Sequence, residues 1–135
     1  MISVFTHDSS PYIELIEGWW KHYYPDKPYS KRVCSNYVTL VYDDKQPIAA
    51  QYVYPALGSQ VAWLGFTVRN PAIPAFRAGK ALKFLFAESE RYIKQLGWSI
   101  VFTNFDAPAL QKVAAGRNYV GGTSHKEYWR DLWVE

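Results

Sequence analysis

Cysteine is nearly absent from this sequence: Cys34 is the only one in 135 residues. A lone thiol forms no intramolecular disulfide, so the fold must hold without a covalent staple. A reducing, cytoplasmic setting is expected. No apolar run approaches the roughly 20 residues of a membrane-spanning helix, and no membrane association is expected. The first ten residues have neither a basic n-region nor an apolar h-region, so no signal peptide is expected. Charge of one sign is scarce as well, because 15 basic and 12 acidic residues give a formal charge of +3. The basic residues are scattered, with no stripe that interleaves with aromatics. A nucleic-acid-binding domain is therefore disfavoured, and partners of other kinds are expected. Repeats, linkers and low-complexity segments are also lacking, so residues 1–135 read as a single domain. What is plentiful is apolar mass, at 49% hydrophobic and 18% aromatic residues, with six Trp and eleven Tyr. That composition excludes a disordered chain.

The chain is organised around residues 63–97. Residues 63–68, Trp-Leu-Gly-Phe-Thr-Val, are aromatic and β-branched and predict a buried strand. A loop over 69–76 follows, with Pro71 and Pro74 excluding helix interior and central strand. Arg77-Ala78-Gly79-Lys80-Ala81 then opens a helical pattern. Leu82, Leu85, Phe86, Ser89, Ile93 and Leu96 share one face, and Lys83, Glu90, Arg91 and Lys94 fall mostly on the other. Gly97 closes the helix. A strand, a small-residue loop and a helix start make an anion site, because the first turn has unpaired N–H groups and partial positive charge. Gly79, Ala78 and Ala81 leave room for a phosphate at the backbone, and Arg77 and Lys80 add mobile positive charge. A P-loop is excluded, since Ala81 replaces the required Ser or Thr and no glycine stands five residues before Gly79. A Gly-x-Gly-x-x-Gly fingerprint is absent too.

Around this stretch the periodicity predicts a short first strand at 1–6. A helix over 11–23 follows, capped by Ser9 or Ser10 with Pro11 in its first turn. Strands over 37–42, 47–54 and 60–68 form an antiparallel meander. A strand over 98–103 returns parallel to the third of these, by right-handed crossover. A second helix spans 107–115, with Asp106 as its cap, and Gly116 ends it. Residues 118–120 and 128–134 predict two closing strands.

This order resembles the GNAT family of acyl-CoA-dependent N-acetyltransferases across nearly the whole chain. Phe76-Arg77-Ala78-Gly79-Lys80-Ala81 is similar to the family's Arg/Gln-x-x-Gly-x-Gly/Ala motif at Gly79 and Ala81, with Phe76 in the first place. The resemblance implies an α/β (α+β) fold: a mixed sheet whose meander leads into a βαβ unit with a splayed parallel pair, and helices on both faces. It implies acetyl-CoA or CoA as cofactor and an amine as acceptor, with direct transfer in a ternary complex. The pantetheine arm would lie between Phe66-Thr67-Val68 and the strand ending at Thr103-Asn104, where Asn104 could hydrogen-bond it. The pyrophosphate would sit on the amides of Phe76, Arg77, Ala78, Gly79, Lys80 and Ala81.

Proton transfer is the open part of this reading. The family's frequent general-acid tyrosine falls near Val113, which cannot donate a proton. The central strand has no carboxylate to act as a base. Tyr119, His125 and His22 are the remaining candidates. Trp19, Trp20, Tyr23 and Tyr24 cannot all face inward at helical spacing, so Trp19, Tyr23 and Tyr24 are candidates for an acceptor wall that suits a cationic amine. Core packing plus a contact within a homodimer is the other reading. Two alternatives to transfer stay open: a catalytically degenerate module that binds CoA or a protein partner, and the disfavoured nucleic-acid-binding domain.

Overall fold

The computed structural model describes residues 1–27, 31–104, 108–121 and 130. Its β-branched and aromatic stretches pair into one sheet, with strands in chain order: β1 (Ile2–Asp8), β2 (Tyr37–Asp43), β3 (Gln46–Pro55), β4 (Val61–Arg69) and β5 (Ile100–Thr103). The first four are antiparallel neighbours, and β5 runs parallel to β4. The meander and the crossover both follow the expected order. A two-residue turn joins β2 to β3, with Asp44 in the left-handed region at φ 54.

A helix covers each face. On one side α1 (Ile13–Tyr23) buries Ile16 and Trp19 against Val38, Leu40, Ala50, Tyr52 and Val68. On the other, α2 (Ala75–Gln95) lays Ala81, Leu82, Leu85, Phe86 and Ile93 on the sheet. These positions recur at helical spacing, as the sequence pattern requires. The α3 helix (Pro108–Gly116) packs Leu110 and Val113 beside them. Gly97 turns the chain at φ 100, a conformation that glycine adopts without steric cost. Among the described residues no helix is long and apolar enough to cross a membrane.

Local corrections concern element ends. Residues 10–12 form a single 3-10 turn before α1, and neither serine caps that helix. The Ser9 hydroxyl instead donates to the Ser35 carbonyl at 2.6 Å, and Ser10 donates twice to the Asp8 carboxylate. Residues 118–120 form no strand. The Tyr119 N–H returns to the Ala114 carbonyl at 3.1 Å, and Asn118 sits at φ 66, where short polar side chains are tolerated. The expected strand over 128–134 (save residue 130), the cap at Asp106 and His125 lie outside the described residues.

Candidate functional site

β5 is much shorter than β4. Ile100 to Thr103 pair with Val61 to Leu64, and β4 then continues through Gly65 to Arg69 without them. The Thr103 hydroxyl closes the ladder by donating to the Leu64 carbonyl at 3.0 Å. Asn104 follows directly and is half-buried. Beyond this point no strand among the described residues pairs with the outer edge of β4. A parallel pair that parts half-way leaves a cleft open to a ligand's own hydrogen-bonding groups.

The strand is also irregular here. Tyr52 pairs with Gly65 and Ala50 with Val68, so Gln51 alone stands opposite two residues, Phe66 and Thr67. This is a β-bulge. Backbone groups along a strand turn alternately to either side. The Asn70 N–H donates to the Ile48 carbonyl at 2.8 Å, so Val68, two residues back, also turns toward β3. The Ala56 N–H takes the Val61 carbonyl at 3.0 Å, so Trp63 and Gly65 turn the same way. Phe66 and Thr67 lie between these two sets. The β5 strand, which ends opposite Leu64, does not reach them.

Phe66 lies in the left-handed region, at φ 53. For a bulky residue that costs on the order of 1–2 kcal/mol, so surrounding contacts must enforce it. Both faces of the sheet do so. On the α1 face the Phe66 ring meets Trp20 and Tyr52 edge-on, with centroids 5.1 and 6.3 Å apart. On the α2 face the Thr67 hydroxyl donates to Gln51 Oε1 at 2.9 Å. The bulge also inverts the strand's alternation. Leu64 faces α2, whereas Phe66 and Val68 face α1.

The start of α2 lies just along the chain. Arg69 holds the intervening loop by donating to the Ile73 carbonyl at 2.7 Å. Pro74 occupies the cap position, supplies no side-chain acceptor, and is followed by a first turn without acidic residues. The Arg77 and Ala78 N–H groups both reach the Pro74 carbonyl, at 3.1 and 3.2 Å. The amides of Ala75 and Phe76 precede the helix's own ladder and stay available to an anion. The helix thus begins two residues earlier than its sequence pattern indicated. Gly79, Lys80 and Ala81 lie in its second turn.

The expected phosphate-loop residues divide accordingly. Phe76 projects outward and is 81% exposed. Arg77 is not a mobile charge, because its guanidinium binds the Asp43 carboxylate at 2.8 Å and ties α2 to the end of β2. That contact comes first among the causes that hold the Asp43 carboxyl below its ordinary range. Ala78 and Ala81 are buried, so their small size brings helix and sheet together rather than clearing a phosphate path. Lys80 is exposed, and the space where a Gly79 side chain would stand is open.

The acceptor wall is corrected in one place. Trp19 belongs to the core, only 6% exposed beside Ile16. Its neighbour Trp20 is the residue that reaches the bulge, with the Tyr24 ring tilted against it at 4.4 Å. The Arg69 guanidinium lies over the Tyr23 ring at 5.3 Å. His22 is exposed at the outer end of α1, its ring against Tyr23.

Tyr119 points elsewhere. Its hydroxyl donates to Glu90 at 3.1 Å, its ring packs on Phe86, and Arg117 grips the same carboxylate at 2.6 and 2.8 Å. Burial, then the Glu90 charge, push that hydroxyl far above the ordinary tyrosine range. Glu90 stands 15 residues past Ala75, roughly 22 Å along the helix from the α2 start. Among the described residues no group of acidic, His or Cys side chains could hold a metal ion.

The sequence matches no family model and no curated protein. Solved structures do match. An aminoglycoside acetyltransferase, meta-AAC0020, from an uncultured soil metagenomic sample, in complex with sisomicin, superposes with a TM-score of 0.69 at 13% identity, covering 97% of this chain and 96% of its own. The AAC(6')-Iy structure, with the bisubstrate analogue CoA-S-monomethyl-acetylneamine, gives 0.66 at 15% identity over 97% and 98%. N-acetylglutamate synthase from Neisseria gonorrhoeae, complexed with coenzyme A and L-arginine, gives 0.65 at 14% identity over 90% of this chain and 28% of that one. The mixed sheet, the divided parallel pair and the helix on each face are those of the GNAT N-acetyltransferase fold.

Proposed function

We propose that this protein is an acyl-CoA-dependent N-acetyltransferase that moves an acetyl group from acetyl-CoA to an amine. The observation that carries the reading is the bulge at Phe66-Thr67, opposite the place where β5 stops. There the outer edge of β4 has no strand neighbour among the described residues. An acetyl carbonyl seated along this edge would gain backbone hydrogen bonds that strengthen as its oxygen becomes negative. The pantetheine arm follows the free edge of β4 toward Val68, with Asn104 opposite. The pyrophosphate lies at the Ala75 and Phe76 amides, on the positive end of α2. Gly79 and Lys80 flank that position on the exposed side of the helix.

In the reaction the amine nitrogen attacks the carbonyl carbon, a C–N bond forms, and the C–S bond breaks. The amine's proton ends on the departing sulfur, giving an acetamide and free CoA. Trp20, Tyr23 and Tyr24 form the aromatic side of the acceptor region, which suits a cationic amine. Two of the structural neighbours named above are aminoglycoside acetyltransferases or carry an acetylneamine analogue, so polyamino compounds are the first acceptors to try. One observation favours a second reading, a CoA-binding module without transfer. Val113 packs into the core with α2, and Tyr119 is held by Glu90, so neither offers a proton to the cleft.

Backbone NMR during an acetyl-CoA titration tests the assignment. Shifts concentrated at the Phe66, Thr67, Ala75 and Phe76 amides are expected. Saturable shifts confined to other elements would remove the cleft from the proposal.

A further inference from the structure

The outer edge of β1 is open. Along the β1–β2 ladder the Asp44 N–H donates to the Met1 carbonyl and the Ser9 N–H to the Asn36 carbonyl, both at 2.9 Å. These contacts continue the strand register at either end. Backbone groups of a strand turn alternately to each side, so Ser3, Phe5 and His7 turn toward β2. Ile2, Val4, Thr6 and Asp8 turn their N–H and C=O groups outward, and no strand among the described residues pairs with them. This edge lacks the usual guards against pairing. β1 runs for seven residues in unbroken register and contains no Lys, Arg or Pro.

Exposed apolar side chains gather along the same edge. Val4 packs on the α2 side, so its neighbour Phe5 points to the α1 side, exposed and stacked on Tyr42 at 5.3 Å. On the other face α2 runs along β1. Near its start Arg77 binds Asp43, the partner of Ile2. Near its end Tyr92 meets Tyr37, the partner of Asp8. Phe84 falls half-way between them, two turns on from Arg77 and on the same flank of the helix. Phe86 and Ile93, on the opposite flank, pack toward β3 and β4. Phe84 is exposed as well. One apolar ring on each face of the sheet therefore marks the middle of β1.

We propose that β1 is the seam of a symmetric dimer: a second copy adds its own β1 antiparallel to this one, and the two sheets become one. A two-fold contact must be self-complementary, and one register pairs every outward residue. It sets Ile2 against Asp8 of the second copy and Val4 against Thr6 of the second copy, each pair exchanging two hydrogen bonds. Phe5 then lies on the two-fold axis, opposite Phe5 of the second copy. A shift by two residues in either direction leaves outward groups unpaired at the ends. The same axis brings the two Phe84 side chains to either side of the seam on the α2 face. The seam lies at the far edge of the sheet from β5, so it forms with or without acyl-CoA in the cleft.

Sedimentation of the full chain tests this. Wild type is expected to be a dimer at micromolar concentration. Phe5→Lys sets two like charges face to face, and Phe84→Asp does so on the α2 face, so each is expected to be a monomer. Phe84 stands on an exposed helix flank, so its replacement leaves the core intact. Leu57→Lys, at an exposed apolar site on the turn between β3 and β4, keeps the dimer. Oxidative cross-linking in a Cys34→Ser background reads the register. Phe5→Cys is expected to give a disulfide-linked dimer, because directly opposed Cα atoms in such a pair lie about 4.5 Å apart. Ile2→Cys is expected to give none, because its counterpart lies about 20 Å away along the seam. A wild-type monomer at millimolar protein overturns the proposal. So does a dimer that persists in folded Phe5→Lys and Phe84→Asp, or cross-linking through Ile2→Cys and not Phe5→Cys.

Discussion

Phe66 and Tyr119 show how far single residues can be read from sequence. In the sequence Leu64, Phe66 and Val68 form one unbroken alternating set. Both faces of β4 are covered, so apolar residues suit either face and the pattern conceals the bulge between them. Gln51 is the better signal, as a glutamine in the middle of an apolar strand. Ser89 is another, on the apolar face of α2. Tyr119 is a candidate acid on the grounds of its residue type and its place after a strand-like break. The structure instead joins it to Glu90 and Arg117 as a half-buried anchor for the end of α3. Its raised hydroxyl pKa makes a stability contribution that is complete below about pH 10, the unfolded tyrosine value, and lost as pH rises toward the folded one. Tyr119→Phe should therefore cost about 1 kcal/mol in denaturant unfolding near neutral pH, the worth of one hydrogen bond. It should leave acetyl-CoA affinity unchanged. A tenfold loss of affinity in the folded variant would return Tyr119 to the site.

At the scale of elements, α2 carries both architecture and the anion site. Its buried face was legible as a 3.6-residue period, and its end as Gly97. Its start was not, because Ala75 and Phe76 resemble loop as much as helix and Pro74 is an unusual cap. The consequence is that Ala78 and Ala81 serve the sheet contact, while Gly79 alone leaves open space on the helix. Glycine inside a helix is destabilising, and nothing stands within 4 Å of where its side chain would lie. Gly79→Ala should then stabilise the fold by about 0.5–1 kcal/mol. If the pyrophosphate does approach here, the same change weakens CoA binding. Denaturant midpoints and calorimetry on one preparation separate these effects. A gain in stability with CoA affinity undiminished would take Gly79 out of the site and leave the Ala75 and Phe76 amides as its floor.

For the whole molecule, strand order, sheet polarity and the parallel return all followed from punctuation in the chain: the two-residue turn at Asp44, the Pro-bearing loop after Arg69, and Gly97. These are local signals, so one sequence contains them. The cleft is a relation between β4, β5 and the start of α2, elements distant in sequence, and it depends on where β5 stops. No residue near Thr103 announces that ending. The acceptor side depends on which of four clustered aromatics turns inward, and packing chose Trp19 for the core and Trp20 for the bulge. The central claim is that this divided sheet receives an acyl-CoA. Calorimetric titration of the intact wild-type chain with acetyl-CoA tests it most directly. The account predicts a single site with micromolar affinity, about −8 kcal/mol. No binding at millimolar acetyl-CoA would contradict it, and would leave the GNAT fold here serving some other ligand.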